Sequence, residues 1–345
     1  FGRVGRALAR LLEEKREGIA ARHGLRIELA GVGELAGSVY AAEGLPPAAL
    51  ADFFESGQSL GAHPAWGRPG WQGRELIENA EADLLVESTP TNIETGEPAL
   101  SHIRAALSHR MHVVSANKGP FIRHYPSLKA EVRARDVALK FSAAAAAALP
   151  AIDVAETCLA GAEIQGIEGV LNGTTNYILT KMRTEEWAYE EALADAKRLG
   201  IAETDPTLDV EGYDTANKLA LIANVCMEAD LLPEEVDRSS ISDITAEQVR
   251  GDRSKKKVMR LVGRAARGPD GKVWASVRPE SLPREHPLAS VEGAEKGIAY
   301  ITDTMDRVTV TGGKSDPRGA AAALLKDIIN IYRAAASPAR PESTE

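Results

Sequence analysis

Within the first 140 residues, short apolar runs alternate with helical patterns, and this alternation restricts the fold more than any other feature of the chain. The runs are 25–32 (LRIELAGV), 82–86 (ADLLV), 111–115 (MHVVS) and 137–141 (VALKF), each followed by polar residues, glycine or proline. Helices are predicted over 4–22, 97–108 and 125–135; in the first, Val4, Leu8, Leu11 and Leu12 recur at helical spacing with charges opposite. Strands that alternate with helices need a parallel sheet covered on both faces, so an α/β fold is expected. The Gly-, Pro- and Trp-rich stretch 57–73 is expected to be a long surface loop.

The texture changes after Pro150. Strands are predicted over 163–171 and 272–277, and helices over 189–199, 213–226 and 320–336. At roughly 150 residues per domain, 345 residues make about two domains. The expected limits are 1–140 for the first and 141–309 for the second, followed by 310–337 and a disordered polar tail, 338–345. A net charge of −9 removes any global attraction for nucleic acid or anionic lipid. No stretch reaches the roughly 18 consecutive apolar residues of a transmembrane helix. The only cysteines, Cys158 and Cys226, are expected to be two reduced core thiols of a cytoplasmic protein. The seven histidines show no ligand spacing, so no transition metal is expected.

Three segments of the first domain could touch a dinucleotide. Phe1-Gly2-Arg3-Val4-Gly5-Arg6 supplies two glycines at the start of a helix, where backbone can approach a pyrophosphate; the first glycine of a full fingerprint and its strand would precede residue 1. Glu34, after the next strand, is placed to grip ribose hydroxyls and to repel a 2′-phosphate, although a solvated loop glutamate explains it equally well. Glu87-Ser88-Thr89-Pro90-Thr91-Asn92 and Ser115-Ala116-Asn117-Lys118-Gly119-Pro120 follow strands, on the side where open α/β sheets bind ligands. Asn-Lys-Gly-Pro is also simply a good turn.

In the second domain, Asn172-Gly173-Thr174-Thr175-Asn176-Tyr177 joins a strand to a helix, and its hydroxyls are expected to cap that helix. Asp214 and Lys218 lie at i, i+4, which by itself means a surface ion pair worth about 0.3–0.5 kcal/mol. The surrounding acids, Glu203, Asp205 and Asp209, argue for more: a pocket that holds a substrate ammonium and keeps one lysine protonated.

LNGTTNYILTKM at 171–182, GIAETDPTLDVEGYDTANKL at 200–219, SANKGP at 115–120 and HPLA at 286–289 together resemble the homoserine dehydrogenases, in order and across nearly the whole chain. The resemblance implies a Rossmann-type, mostly parallel sheet with a second α+β domain for substrate binding and dimerisation, and a C-terminal segment that returns to the nucleotide domain. It implies reversible reduction of L-aspartate 4-semialdehyde to L-homoserine with NAD or NADP, on the way to threonine and methionine, in a homodimer.

Lys218 falls on the family's acid/base lysine and Lys118 on the lysine near nicotinamide and substrate. The cofactor candidates are Gly2, Arg3, Val4, Gly5, Glu34, Ser88, Thr89, Pro90, Asn117, Lys118, Gly200 and Gly313. The substrate candidates are Asn172, Thr174, Thr175, Glu203, Asp209, Asp214 and Lys218. A monovalent cation, Na+, is implied near Ala145, Ala147 and Leu149. Two departures stand out. Ser142 replaces a glutamate that helps hold that cation, and Ala143–Ala148 replace glycines. Two rival readings exist: a nucleotide-binding homologue impaired at this alanine-rich segment, and a cysteine-dependent semialdehyde dehydrogenase, whose chemistry needs an activated thiol beside a histidine.

Overall fold

The computed structural model describes residues 1–313 and 316–335. The described residues form two compact units, one built from 1–144 and 317–335, the other from 145–313 and 316. The expected tail at 338–345 lies outside the described residues, as do Lys314 and Ser315.

The first unit opens with α1 (Arg3–His23). It continues through β1 (Leu29–Glu34), β2 (Gly37–Leu45), α2 (Pro47–Glu55), β3 (Gly67–Arg68) and α3 (Gly73–Asn79). Next come β4 (Leu84–Glu87), α4 (Ala99–Ser108), β5 (His112–Ser115), α5 (Gly119–Arg135) and β6 (Leu139–Lys140). Strands β4, β5 and β6 form the expected parallel sheet, in that order. The core is continuous: Leu8, Leu11, Leu12 and Ile19 of α1 pack with Val114 of β5 and with Leu324, Leu325, Ile328 and Ile331 of the C-terminal helix, Pro317–Ala335.

Two expectations for this unit need correction. The strand after α1 does not join the parallel sheet; β1 pairs antiparallel with β2, which pairs with β3. Gly37 sits at φ +131°, a conformation L side chains rarely adopt, and permits the tight return from Glu34. The 57–73 stretch is not merely a surface loop. It contains a 3₁₀ turn, Leu60–Ala62, whose Leu60 is fully buried with Val39, Leu45 and Leu50. Its glycines allow backbone contact, since a Cβ on Gly67 would lie 2.5 Å from the Gly61 carbonyl oxygen.

Residues 142–149 carry the chain from the first unit to the second. Ser142–Ala146 form a short helix, α6, with its alanines buried. Ala147 then adopts φ +54° and ends it. In the second unit, α7 (Ala151–Asp153) leads to β7 (Ile164–Val170), α8 (Gly173–Thr184), α9 (Tyr189–Arg198), α10 (Thr207–Val210) and α11 (Tyr213–Cys226). After β8 (Asp237–Arg238) and α12 (Ala246–Ser254) come β9 (Lys257–Arg267), β10 (Val273–Pro283), β11 (Lys296–Thr302) and β12 (Arg307–Gly312). The sheet has the order β12-β11-β7-β9-β10-β8 and is antiparallel except at β10-β8. The expected core thiol Cys158 is in fact exposed, at the end of the π-helical segment Val154–Cys158 that follows α7. Burial pushes the Cys226 thiol up to about 12, which leaves it inert as a nucleophile.

Candidate active site

The polar residues of the second unit converge where β7 gives way to α8. Asn172 caps α8: its Oδ1 accepts the Thr175 amide at 2.9 Å. The hydroxyl caps expected from Thr174 and Thr175 are not made; Thr175 Oγ1 donates back to the Asn172 carbonyl at 3.2 Å, and Thr174 Oγ1 donates to the Ile201 carbonyl at 3.1 Å. The other end of the Asn172 amide donates to Asp209 Oδ1 at 2.6 Å and to Asp214 Oδ2 at 2.9 Å. One side chain thus fixes a helix start and two carboxylates together. Gly173 is required beside it, because a Cβ there would meet the Ala294 carbonyl oxygen at 2.8 Å.

Asp214 lies in the first turn of α11, where the helix dipole favours a negative charge. One turn later, Lys218 Nζ donates to Asp214 Oδ2 at 2.5 Å and to the Leu171 carbonyl at 3.1 Å. The pair is not a surface ion pair, for the side chains are only 16% and 14% exposed. An ammonium has three N–H donors, and among the described residues two have protein acceptors, which leaves one for a ligand oxygen. Glu203 is exposed, and the structure does not bring it into this hydrogen-bonded group. Gly200, at φ +70°, ends α9 in a Schellman motif: its amide donates to the Lys197 carbonyl and the Ile201 amide to that of Ala196.

Sequence reasoning missed Lys296. It opens β11, is 1% exposed, and donates from Nζ to the Ala146 carbonyl at 2.7 Å. Burial and the nearby charge of Lys218 push its amine down to about 7 against the opposing pull of Asp214. The available signal was a single lysine at the head of an apolar strand, GIAYIT, in a sequence where charges otherwise mark surface. Gly313, at φ +72°, packs on the same turn, since a Cβ would lie 2.7 Å from the Leu149 amide nitrogen.

In the first unit, Gly2 precedes α1 with no side-chain cap and no acid in the first turn. A Cβ on Gly5 would sit 3.6 Å from Ser88 Oγ, which places the start of α1 beside the end of β4. Arg3 and Val4 belong to that first turn. The buried Glu87 accepts the Thr89 hydroxyl at 2.6 Å. Asn117 Nδ2 donates to the carbonyls of Thr89 at 3.0 Å and Pro90 at 3.1 Å, while its Oδ1 accepts the Gly119 amide at 2.9 Å. Asn117 therefore braces both strand ends, and Lys118 stands at the start of α5. Glu34 has local work as well: its Oε1 accepts the Ser59 hydroxyl at 3.0 Å and the Leu60 amide at 2.6 Å.

Residues 150–329 match the sequence profile of homoserine dehydrogenase. An NAD(+)-dependent homoserine dehydrogenase of Pseudomonas canavaninivorans is 37% identical over 97% of this chain and 95% of its own. The chain belongs to the homoserine dehydrogenase family. An Archaeoglobus fulgidus crystal structure assigned to that family superimposes with a TM-score of 0.85 at 31% identity, over 96% of this chain and 97% of the other. A hyperthermophilic archaeal homoserine dehydrogenase mutant in complex with NADPH matches with a TM-score of 0.81 at 27% identity, over 96% and 95%. Homoserine dehydrogenases are NAD(P)-dependent oxidoreductases, and the fold is accordingly a Rossmann-type nucleotide-binding domain plus a second domain. No comparison favours an impaired homologue. Among the described residues, no group of three His, Cys, Asp or Glu could hold a metal ion, and no helix is long and apolar enough to cross a membrane.

Proposed function

We propose that Lys218 is the proton donor in the reduction of L-aspartate 4-semialdehyde to L-homoserine. The bound dinucleotide supplies the hydride to the aldehyde carbon. Negative charge then grows on the carbonyl oxygen, and a preorganised ammonium both stabilises it and delivers the proton. The observation that carries this reading is the Lys218 ammonium, held by Asp214 Oδ2 and the Leu171 carbonyl with one donor to spare. Asp214 and Asp209, fixed by Asn172, set a negative field beside that lysine and for the substrate ammonium. Glu203 completes the ammonium clamp from the exposed rim, Thr174 and Thr175 shape its floor, and Lys118 adds positive potential near the nicotinamide.

The uncapped start of α1 fits a pyrophosphate, so Gly2, Arg3, Val4 and Gly5 hold it there, with Ser88, Thr89 and Pro90, braced by Asn117, against the nicotinamide half. Gly200 and Gly313 contact the cofactor through backbone alone. Glu34 takes the adenosine ribose and disfavours a 2′-phosphate, in keeping with the name of the Pseudomonas relative. On this reading residues 1–140 are the nucleotide domain, 141–309 bind substrate and form a homodimer, and the enzyme serves threonine and methionine synthesis in the cytoplasm. The test is Lys218→Met: turnover of aspartate semialdehyde falls by about 10²–10⁴-fold while NAD(P)H binding, followed by fluorescence, is retained. Turnover at the wild-type rate refutes the assignment.

A further inference from the structure

The cation implied beside Ala145, Ala147 and Leu149 does not fit the residues present. The glutamate that would share it is Ser142, whose amide and hydroxyl are both given to the buried Asp327, at 3.0 and 3.1 Å. The turn is instead reached by Lys296, whose Nζ lies 2.7 Å from the Ala146 carbonyl oxygen. Its side chain is 1% exposed, so it fills the space it reaches through rather than lying over it. Gly313 closes on the Ala148–Leu149 backbone, and Ala147, at φ +54°, is the conformational joint that these contacts must hold.

We propose that the Lys296 amine, not a bound monovalent metal ion, anchors the 142–149 turn, so that this dehydrogenase needs neither Na+ nor K+. A buried carbonyl oxygen must find a donor, and a lysine amine supplies one with up to three N–H groups. A metal ion brought to the adjoining carbonyls would have to displace that amine and would share a poorly solvated space with Lys218. Lys296 is thus a positioning residue, acting through the turn and not on the substrate.

The test uses the intact enzyme exchanged into tetramethylammonium chloride, then titrated with NaCl or KCl at fixed ionic strength. The wild-type thermal midpoint and dehydrogenase rate are expected to stay unchanged. Measured at pH 10, where the cost of burying a charge has fallen away, Lys296→Ala is expected to lower the midpoint by about 3–6 °C, the scale for one buried carbonyl left without a donor in a chain of this length. Propylammonium, which restores the missing atoms, is expected to recover part of that loss, whereas propanol is not. A wild type stabilised or activated by Na+ or K+ overturns the proposal, as does Lys296→Ala with an unchanged midpoint at pH 10. If Lys296→Ala does not fold, the wild-type ion titration decides alone. The midpoint does not depend on the proton donor, so failure here is separable from failure of the Lys218 assignment.

Discussion

Replacing Lys296 by methionine gives a stability difference that depends on pH in a calculable way. The amine has its ordinary value of 10.5 in the unfolded chain and is pushed down to about 7 in the folded one. Below pH 7 both states carry the proton, and the folded state bears the full penalty of a buried charge, at most about 5 kcal/mol on this difference. Between pH 7 and 10.5 the unfolded chain binds more protons, so wild-type stability rises with pH by up to about 1.4 kcal/mol per unit. The methionine variant has no such slope, and it adds only a pH-independent loss of about 1–3 kcal/mol for the orphaned Ala146 carbonyl. Urea unfolding of both proteins at pH 6.5 and 9.5 measures the change. Wild type is expected to gain about 3 kcal/mol relative to the variant across that interval. The series is repeated in a Lys218→Met background, which removes one of the two charges that act on Lys296. A difference that stays flat with pH would mean that Lys296 keeps its proton in the folded state, and the account of its burial would fail.

Glu34→Ala is expected to narrow the preference for NAD over NADP by weakening the repulsion of a 2′-phosphate; an unchanged ratio of kcat/KM values for the two cofactors would remove Glu34 from the ribose site. Asn172→Ala should lower stability by about 1–2 kcal/mol through the lost α8 cap and also reduce kcat/KM, because Asp209 and Asp214 lose their shared donor. Loss of stability without loss of activity would reduce Asn172 to a cap. Gly313→Ala should destabilise by about 2 kcal/mol or more in urea unfolding, since positive φ and a Cβ 2.7 Å from the Leu149 nitrogen act together. Ser142→Ala, which leaves the buried Asp327 one donor short, should destabilise by about 1–3 kcal/mol while the Ser142 amide bond remains.

The parallel strands of the first unit and α11 were legible because their patterns are local: LLV and HVV are compact apolar runs, and Tyr213–Cys226 carries one helical period from end to end. The meeting of Asp209, Asp214 and Lys218 was legible for a different reason, although Glu203 and Asp205, read as part of the same group, are exposed and Asn172 was not read into it. Asp209, Asp214 and Lys218 lie close in sequence at the starts of α10 and α11, and carboxylates around a lone lysine are costly unless they act together. What stayed hidden depends on distant partners. Strand β2 reads GSVYAAEGL, too mixed to announce itself, and is made a strand by pairing with β1 and β3. Lys296 looked like surface charge because nothing within its own segment shows that Ala146 lies across from it, 150 residues away. The alanine run at 142–149 carries no polar pattern at all, and its shape is imposed by Asp327 and Lys296 from outside.

The double use of Asn172 removes a degree of freedom that side-chain amides usually keep. Turned over, the group would set its oxygen against two carboxylate oxygens and its nitrogen against the Thr175 amide, so only one orientation is chemically workable. Fraying of the first turn of α8 and slackening of the acid pair at Asp209 and Asp214 are therefore one motion. Deuterium uptake at the Thr175 amide becomes a gauge of how firmly the lysine's counter-charges are held, readable without substrate or coenzyme.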